Sequence, residues 1–299
     1  MPEIMLLNQE TIDKIAAGEV VERPSSVVKE LVENAIDAKA TAVTVEIKEG
    51  GISFIRITDN GCGIAKKQVP IAFLRHSTSK IRSVEDLLNI HSLGFRGEAL
   101  SSIGAVAEVE LFTKRHEDET GVCVTCKGGE ILSSDEAGIP DGTSILVENL
   151  FFNTPARRKF LKKDATEAGY ITDIMTRFIF AHPEISFKLI IDNKEKLFSP
   201  GDNSLENSVY TVYGRDYAKG TIPVEYESDG IKITGLIGKG TLARPKRNYQ
   251  SFFVNRYLMA DADIDQRTIL ALRGNDPMTK HINTIVDYSL LWLLGVDYH

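Results

Sequence analysis

The sequence predicts an α+β fold in two parts. Short segments in which apolar and polar residues alternate, joined by Gly-containing turns, indicate antiparallel strands, and the segments with helical periodicity stand apart from them. The strongest linker signal is the turn-rich segment SPGDNS at residues 199–204. We therefore predict one domain over residues 1–203 and a second over residues 204–299.

The predicted helices have apolar residues at intervals of three and four. The helix at 24–38 has Ser25 or Ser26 available as an N-cap, and Pro70 is expected to shorten or kink the helix at 64–81. The predicted helices are 9–17, 24–38, 164–181 and 205–213, with a further helix within 64–81 that is followed by the Ser/Thr-rich segment 76–80. The predicted strands are 43–48, 52–58, 106–113, 121–127, 143–148, 185–191, 195–198, 221–227, 231–237 and 249–254.

Composition bounds the class of protein. Hydrophobic residues make up 42% of the 299 residues and charged residues 26%, which is typical of a globular protein with a sizeable core. The chain has no apolar run of membrane-spanning length and no export-signal pattern, so we expect a cytoplasmic protein without a membrane partner. Because the net charge is −7, any contact with DNA must come from local basic patches.

The first candidate site motif lies on the helix at 24–38. Glu30, Asn34 and Asp37 are four and three residues apart, so they form one polar stripe. A carboxylate in that position is suited to take a proton from water, and a carboxamide oxygen is suited to bind Mg²⁺ beside phosphate oxygens. The alternative is an ordinary solvated helix face.

The second motif is a carboxylate in a glycine turn. Asp59 ends a predicted strand, and Gly61 and Gly63 allow a tight turn that a flat ring can approach. A rigidly held Asp there is expected to accept a hydrogen bond from the exocyclic amine of adenine, with the Thr143 hydroxyl near the same end. The alternative is a common turn or a calcium loop.

The third motif, Gly94 to Leu100, is a glycine-rich loop before a helix-compatible stretch. Such a loop presents backbone N–H groups to phosphate. It lacks the G-x-x-x-x-G-K-[ST] pattern of a Walker-type P-loop. Ser79 and Lys80 lie in a Ser/Thr-rich segment that we interpret as part of a lid, with Lys80 adding positive charge.

At these residues the chain resembles the MutL family of DNA mismatch-repair ATPases, within the GHKL superfamily. The resemblance rests on IAAGEVVERP at 15–24, RHSTSK at 75–80, LGFRGEAL at 93–100 and NTPARRKF at 153–160. Other GHKL classes, such as topoisomerases and kinases, are disfavoured by the last two strings. The resemblance implies an ATPase sandwich, an antiparallel or mixed sheet covered by helices, followed by a partial α/β transducer domain with a ribosomal-protein-like fold.

The resemblance also implies roles for individual residues. It makes Glu30 the general base, Asn34 the Mg²⁺ ligand and Asp59 the contact to adenine of ATP, and residues 1–23 an arm that crosses to a second copy in an ATP-dependent homodimer. DNA, a mismatch-recognition protein and a downstream repair nuclease or helicase are the implied partners, and the protein is expected to associate with the nucleoid. The remaining residues assigned to the nucleotide are Asp37, Gly63, Ser79, Lys80, Leu93, Gly94, Phe95, Arg96, Gly97, Glu98 and Thr143.

DNA contact is assigned to basic segments. Arg157 and Arg158 lie in a run that continues through Lys163, and Arg256 matches an arginine of the family, although the Val-Asn-x-Arg register is one residue short. Phosphate contacts of this kind predict salt-sensitive binding without sequence preference. A solvated basic face is the alternative.

The resemblance is expected to end near Asp265. The family continues with a strand carrying an Asn-Val-His-Pro motif and then a lysine that reaches the γ-phosphate, and this sequence has no such motif; Lys280 has no similar context. We expect an incomplete second domain and no C-terminal dimerisation region, and truncation, a frame change or divergence would each produce this pattern. An ATP-gated DNA-binding scaffold without turnover is therefore the alternative function.

Overall fold

The computed structural model describes residues 17, 20–78, 97–228, 231–242, 249–254, 257–258 and 292–298. The described residues form two compact units. The first lies within residues 1–175 and 185–198, and the second within residues 176–184 and 199–299.

An eight-stranded mixed sheet dominates the first unit. The strands are β1 Ala42–Lys48, β2 Phe54–Asp59, β3 Glu108–Lys114, β4 Gly121–Lys127, β5 Glu130–Ala137, β6 Gly142–Glu148, β7 Ser186–Ile191 and β8 Lys194–Pro200. Their order in the sheet is β5-β4-β3-β6-β2-β1-β7-β8. β1 and β7 are parallel, whereas the pairs from β1 through β2, β6, β3 and β4 to β5 are antiparallel.

Helices accompany this sheet. They are α1 Pro24–Asp37, the single-turn α2 Val69–Ala72, α3 Ala99–Val106, α4 Pro155–Phe160 and α5 Asp164–Ala181. α1 contacts β2 and α3, and its apolar residues Val27, Val28, Leu31, Val32 and Ala35 are buried. The prediction of an α+β fold with an antiparallel or mixed sheet and accompanying helices is confirmed.

One face of the sheet is a continuous apolar surface because the strand registers align. Ile57, Ile145 and Leu111 lie side by side in β2, β6 and β3, and each is buried. Ile55, Val147 and Val109 form the next row in the same way. Burial of such apolar surface stabilises the fold by about 25 cal/mol per Å². A slip of one residue would expose both rows to solvent, so this burial fixes the register of all three strands.

The second unit has a smaller five-stranded sheet. Its elements are α6 Leu205–Tyr213, α7 Arg215–Lys219, β9 Thr221–Ser228, β10 Ile231–Gly238, β11 Gln250–Val254, β12 Tyr257–Leu258 and β13 Trp292–Tyr298. The strand order is β12-β11-β13-β10-β9. The last of the described strands, β13, pairs antiparallel with β10 and parallel with β11. A core of Phe180, Val209, Leu236 and Phe253 lies in this unit.

Two local predictions about helices have different outcomes. α1 begins at Pro24 with Arg23 in the N-cap position and no side-chain cap, so the prediction that Ser25 or Ser26 caps it is wrong. Proline at the first position has no N–H to be capped. The prediction that Pro70 shortens or kinks the next helix is confirmed, since α2 is a single turn that follows a 3₁₀ turn at Lys66–Gln68 and has Pro70 in its first turn, where proline is tolerated.

β5 and α4 were not predicted. β5 has mostly exposed polar residues and pairs with β4 at the edge of the sheet, so it lacks the alternation that identifies a half-buried strand. The start of the predicted linker is also different, since β8 continues through Pro200 and Ser199 is buried. The helix predicted at 9–17 lies outside the described residues, except for Ala17, which is helical and buried.

Candidate functional site

The polar stripe of α1 is present as predicted. Glu30, Asn34 and Asp37 are all half-buried, in contrast to the fully buried apolar residues that flank them on the same helix. The Asn34 backbone carbonyl accepts the N–H of Ala38 at 2.9 Å, so the helical turn that carries Asn34 continues to the end of α1. The stripe is therefore held on a rigid element and remains accessible.

A second acid, Glu33, adjoins this stripe and was missed from sequence. It is only 7% exposed, and burial raises the pKa of its carboxyl; the charges of Glu30 and Asp37 act in the same direction, while Lys29 opposes them. The Lys29 ammonium lies 3.0 Å from Glu33 and 3.6 Å from Glu30. Glu30 thus stands in a local network of three carboxylates and one cation. The only sequence signal for Glu33 was its place one residue before Asn34.

Three polar residues form a row at the end of the apolar sheet face. Asp59 in β2 and Thr113 in β3 are each directly opposite Thr143 in β6. Residues directly opposite one another share a face of the sheet, so this row continues the two apolar rows. This face of the sheet therefore changes from apolar to polar side chains where β2 ends.

The Asp59 carboxylate is held by the turn that follows it. Its Oδ1 accepts the N–H of Gly61 at 2.8 Å. Burial raises the pKa of Asp59, against hydrogen bonds from the backbone N–H groups of Gly61 and Thr143 that favour its ionised form. The carboxylate is thus partly desolvated and oriented, as an acceptor for a ligand N–H requires.

The glycine turn packs closely against β3. Gly63 has φ +67°, and a Cβ there would lie 2.3 Å from the carbonyl oxygen of Lys114. The next residue, Ile64, donates its N–H to the Thr113 hydroxyl at 2.9 Å. Glycine is required at 63 by both the backbone conformation and the lack of space.

The same turn is tied to the end of α1. The Ala38 carbonyl accepts the N–H of Cys62 at 2.9 Å, and a Cβ at Gly61 would lie 2.8 Å from that carbonyl. Asn60, which the sequence did not single out, accepts the N–H groups of Thr41 and Ala42 at 2.9 Å each. The turn carrying Asp59 is therefore joined to the last turn of the helix that carries Asn34 and Asp37.

The described part of the glycine-rich loop is Gly97 and Glu98. Gly97 has φ +63°, and a Cβ there would meet the Ser77 carbonyl oxygen at 2.6 Å. The Glu98 carboxylate lies 3.0 Å from His76 Nδ1, and its backbone carbonyl accepts the N–H of Ser102 at the start of α3. Residues 76–77 and 97–98 therefore meet beside α3, which itself contacts α1. The remaining predicted nucleotide residues, Ser79, Lys80, Leu93, Gly94, Phe95 and Arg96, lie outside the described residues.

The predicted basic segment lies on α4 and the residues after it. Arg158 is exposed and Arg157 is half-buried. Phe160 is 81% exposed at the end of this helix, between Lys159 and Lys162. Arg256 lies outside the described residues.

One acid that follows the basic segment, Glu167, is turned inward. Glu167 in α5 is fully buried, and its Oε1 accepts the backbone N–H of Lys162 at 2.9 Å. It holds the connection between α4 and α5 while staying away from the surface that carries the basic side chains.

The donor groups of α1 fit a magnesium ion that is shared with a nucleotide. No group of three or more His, Cys, Asp or Glu side chains suited to hold a metal occurs among the described residues. Mg²⁺ commonly takes one or two protein oxygens together with substrate phosphates and water, rather than an all-protein cage. The half-buried Asn34, beside Glu30 and Asp37, supplies oxygens of that kind.

Comparisons with known proteins bear on both units. A family model described as histidine kinase-, DNA gyrase B-, and HSP90-like ATPase matches residues 22–153. A second, described as DNA mismatch repair protein, C-terminal domain, matches residues 209–281. This match continues past Asp265, where the resemblance was expected to end.

Relatives and solved structures agree with these matches. The MutL protein of Agathobacter rectalis is 58% identical over 262 residues, covering 87% of this chain and 40% of that relative. MutL of Caldanaerobacter subterraneus subsp. tengcongensis is 49% identical over 259 residues, covering 86% and 44%. The ATPase domain of Aquifex aeolicus MutL, solved in complex with ADP, has a TM-score of 0.67 and 28% identity, covering 94% of this chain and 93% of that one.

The mixed sheet and the first family match define a GHKL-type ATPase domain, which is followed by a small α/β region. With the mismatch-repair match in the second unit and the identity to MutL proteins, the chain belongs to the MutL family of DNA mismatch-repair proteins. It spans about 40% of the length of the curated relatives that it matches. None of the helices in the described ranges is long and apolar enough to cross a membrane.

Proposed function

We propose that this chain binds Mg²⁺-ATP and hydrolyses it slowly, and that nucleotide binding drives dimerisation and couples mismatch recognition to downstream repair factors. One observation carries the proposal. The oriented, partly desolvated Asp59 carboxylate lies in a turn bonded to the end of α1, the helix that presents Glu30 and Asn34. An acceptor for a base and a set of oxygens for metal and water are therefore joined in one rigid arrangement.

The base end of the nucleotide is assigned to the polar row. Asp59, as an acceptor, fits the exocyclic amine of adenine and disfavours a carbonyl oxygen at that place, because two acceptors repel. Thr143 lies directly opposite Asp59 and supplies a hydroxyl beside it. The glycines at 61 and 63 leave the turn without side chains that would cover the base.

The reacting end is assigned to α1 and the glycine-rich loop. Glu30, with its side chain 29% exposed, takes a proton from the water that attacks the γ-phosphate, and Asn34 contributes an oxygen to Mg²⁺. When bound there, Mg²⁺ would neutralise part of the negative charge of the phosphates. Asp37 supports the same stripe, and residues 93–98, with Ser79 and Lys80, enclose the phosphates.

DNA contact is assigned to the basic segment and to Arg256. Arg157 and Arg158 lie on α4, and the exposed Phe160 lies between two lysines. Cationic side chains bind phosphates without reading sequence, and an exposed ring offers a surface to an unpaired base. A DNA partner contacted in this way is bound in a salt-sensitive manner.

The remaining assignments follow from membership of the family. We assign residues 1–203 to the ATPase domain and residues 204–299 to the transducer domain, and residues 1–23 to an arm that crosses to a second copy. A mismatch-recognition protein and a repair nuclease or helicase are the expected partners, and the protein is expected in the cytoplasm, associated with the nucleoid.

The test combines calorimetry with steady-state phosphate release. We expect the wild-type chain to bind Mg²⁺-ATP and to release phosphate, and Glu30→Gln to bind ATP while release falls by about 10²–10⁴-fold, as for loss of a general base. Glu195→Gln is the matched control, because Glu195 is an exposed acid paired with Lys188. If the wild-type chain binds ATP without releasing phosphate, the hydrolysis proposal is refuted in favour of an ATP-gated scaffold. If it does not bind ATP, the proposed nucleotide site is refuted.

A further inference from the structure

A buried hydroxyl joins the two sides of the base end of the pocket. Thr113 in β3 is 1% exposed and lies directly opposite Thr143, whose other neighbour across the sheet is Asp59. Every other position of β3 on this face, Val109 and Leu111, is apolar and fully buried. A hydroxyl buried at the polar end of such a surface needs hydrogen-bond partners, since burying it alone costs free energy.

Three partners surround this hydroxyl. Thr113 Oγ1 accepts the N–H of Ile64 at 2.9 Å, lies 3.1 Å from the carbonyl oxygen of Gly142, and lies 3.1 Å from Thr143 Oγ1. Ile64 directly follows Gly63 in the turn that carries Asp59, and Gly142 directly precedes Thr143. Thr113 therefore connects the glycine turn to the start of β6 through a single atom.

The single proton on each hydroxyl determines whether Thr143 donates or accepts a hydrogen bond toward the ligand. Each hydroxyl has one proton and two lone pairs, and Thr113 uses one lone pair for Ile64. If Thr113 donates to Thr143, the O–H of Thr143 can point toward the ligand, and Thr143 becomes a donor for a purine ring nitrogen. If Thr113 donates to Gly142, Thr143 donates to Thr113 and presents only lone pairs to the pocket. In both arrangements Thr113 decides which role Thr143 plays.

We propose that Thr113 is a positioning residue for purine recognition: its hydroxyl fixes the glycine turn against β6 and orients the Thr143 hydroxyl beside the Asp59 carboxylate. Thr113 does not itself touch the base, because it is covered by its neighbours. The inference rests on the proposed nucleotide site and adds to it a residue that neither the motifs nor the resemblance assigned.

The test uses Thr113→Val, which keeps the branched shape and removes the hydroxyl, and Thr113→Ser, which keeps the hydroxyl. Thr58→Val is the matched control. The hydroxyls of Thr58 in β2 and Ser144 in β6 lie 2.9 Å apart. These two residues directly precede and follow Asp59 and Thr143 in the chain, respectively, and face the opposite side of the sheet. Dissociation constants for ATP and ADP are measured by calorimetry in the full chain, with circular dichroism and Tm to establish folding.

We expect Thr113→Val to weaken ATP and ADP equally, by about three- to tenfold, because both nucleotides share the base end. Thr113→Ser is expected to restore wild-type affinity, and Thr58→Val to leave it unchanged. Affinity within twofold of wild type in Thr113→Val, failure of Thr113→Ser to rescue, or a loss confined to ATP would each overturn the inference. Absence of nucleotide binding in wild type would refute the proposed function itself, which is a distinguishable result.

Discussion

Substitution of Gly142 by alanine tests the close packing on which the base end of the pocket depends. Gly142 begins β6 with φ +108°, a conformation almost restricted to glycine, and a Cβ there would lie 2.2 Å from the carbonyl oxygen of Asp59 and 2.9 Å from the Cα of Asn60. The backbone strain costs about 1–3 kcal/mol. The overlap adds about 1–3 kcal/mol because the obstructing atoms belong to the backbone and have to move.

Together these effects predict that Gly142→Ala loses about 2–6 kcal/mol of unfolding free energy. For a domain of this size the loss lowers Tm by about 4–24 °C. ATP affinity is expected to fall as well, because the backbone that must shift carries Asp59. Tm is measured by circular dichroism and affinity by calorimetry at a temperature where both proteins are folded.

Gly169 provides the matched control. It lies in α5, where a Cβ would have no heavy atom within 4 Å and φ is not positive. Gly169→Ala is expected to raise stability by about 1 kcal/mol through helix propensity. A Gly142→Ala protein with Tm within 2 °C of wild type, or equal losses in both variants, would show that the packing argument is wrong.

Two further predictions concern charge. Burial raises the pKa of Asp59, so the stability that this group contributes is fully present below its ordinary value of 3.8 and is lost as pH rises through the folded-state value. Asp59→Asn should therefore raise Tm at pH 7–8, with a gain that disappears as pH falls toward 3.8, while ATP affinity drops by about 10- to 100-fold; a Tm difference independent of pH would contradict this. On α4, Arg158→Gln with Lys159→Gln should lower the slope of log K against log salt for DNA by about 2, whereas Phe160→Ala should weaken single-strand binding with the slope unchanged. Lys194→Gln on β8 is the control, and equal slopes in all four proteins would remove α4 from the DNA contact.

The parts of the fold that were predicted well are those with a strong periodic signal. α5 and α6 begin and end where their apolar repeats do, and the hairpin of β1 and β2 follows from clean alternation around a glycine turn. β5 was missed because an exposed edge strand has no apolar face to repeat. α2 is short because Pro70 outweighs the helical pattern around it.

The site shows the same division between local and long-range information. Asp59 and Gly63 were identifiable because a carboxylate between glycines in a turn is a local pattern. Thr113 and Asn60 were not, since each acts on residues that lie 18 to 49 positions away in the chain. Glu33 was passed over because its significance is burial, which is a property of packing.

The amino-acid sequence alone determined the fold class, the family and the order of the three motifs, because these are expressed in periodicity and in short strings of residues. Only the tertiary structure decided that Asp59, Thr143 and Thr113 form one row across three strands, and that the turn after Asp59 is bonded to the end of α1. The physical reason is strand register. Burial of the two apolar rows aligns β2, β6 and β3, and this alignment brings together polar residues that no local pattern connects.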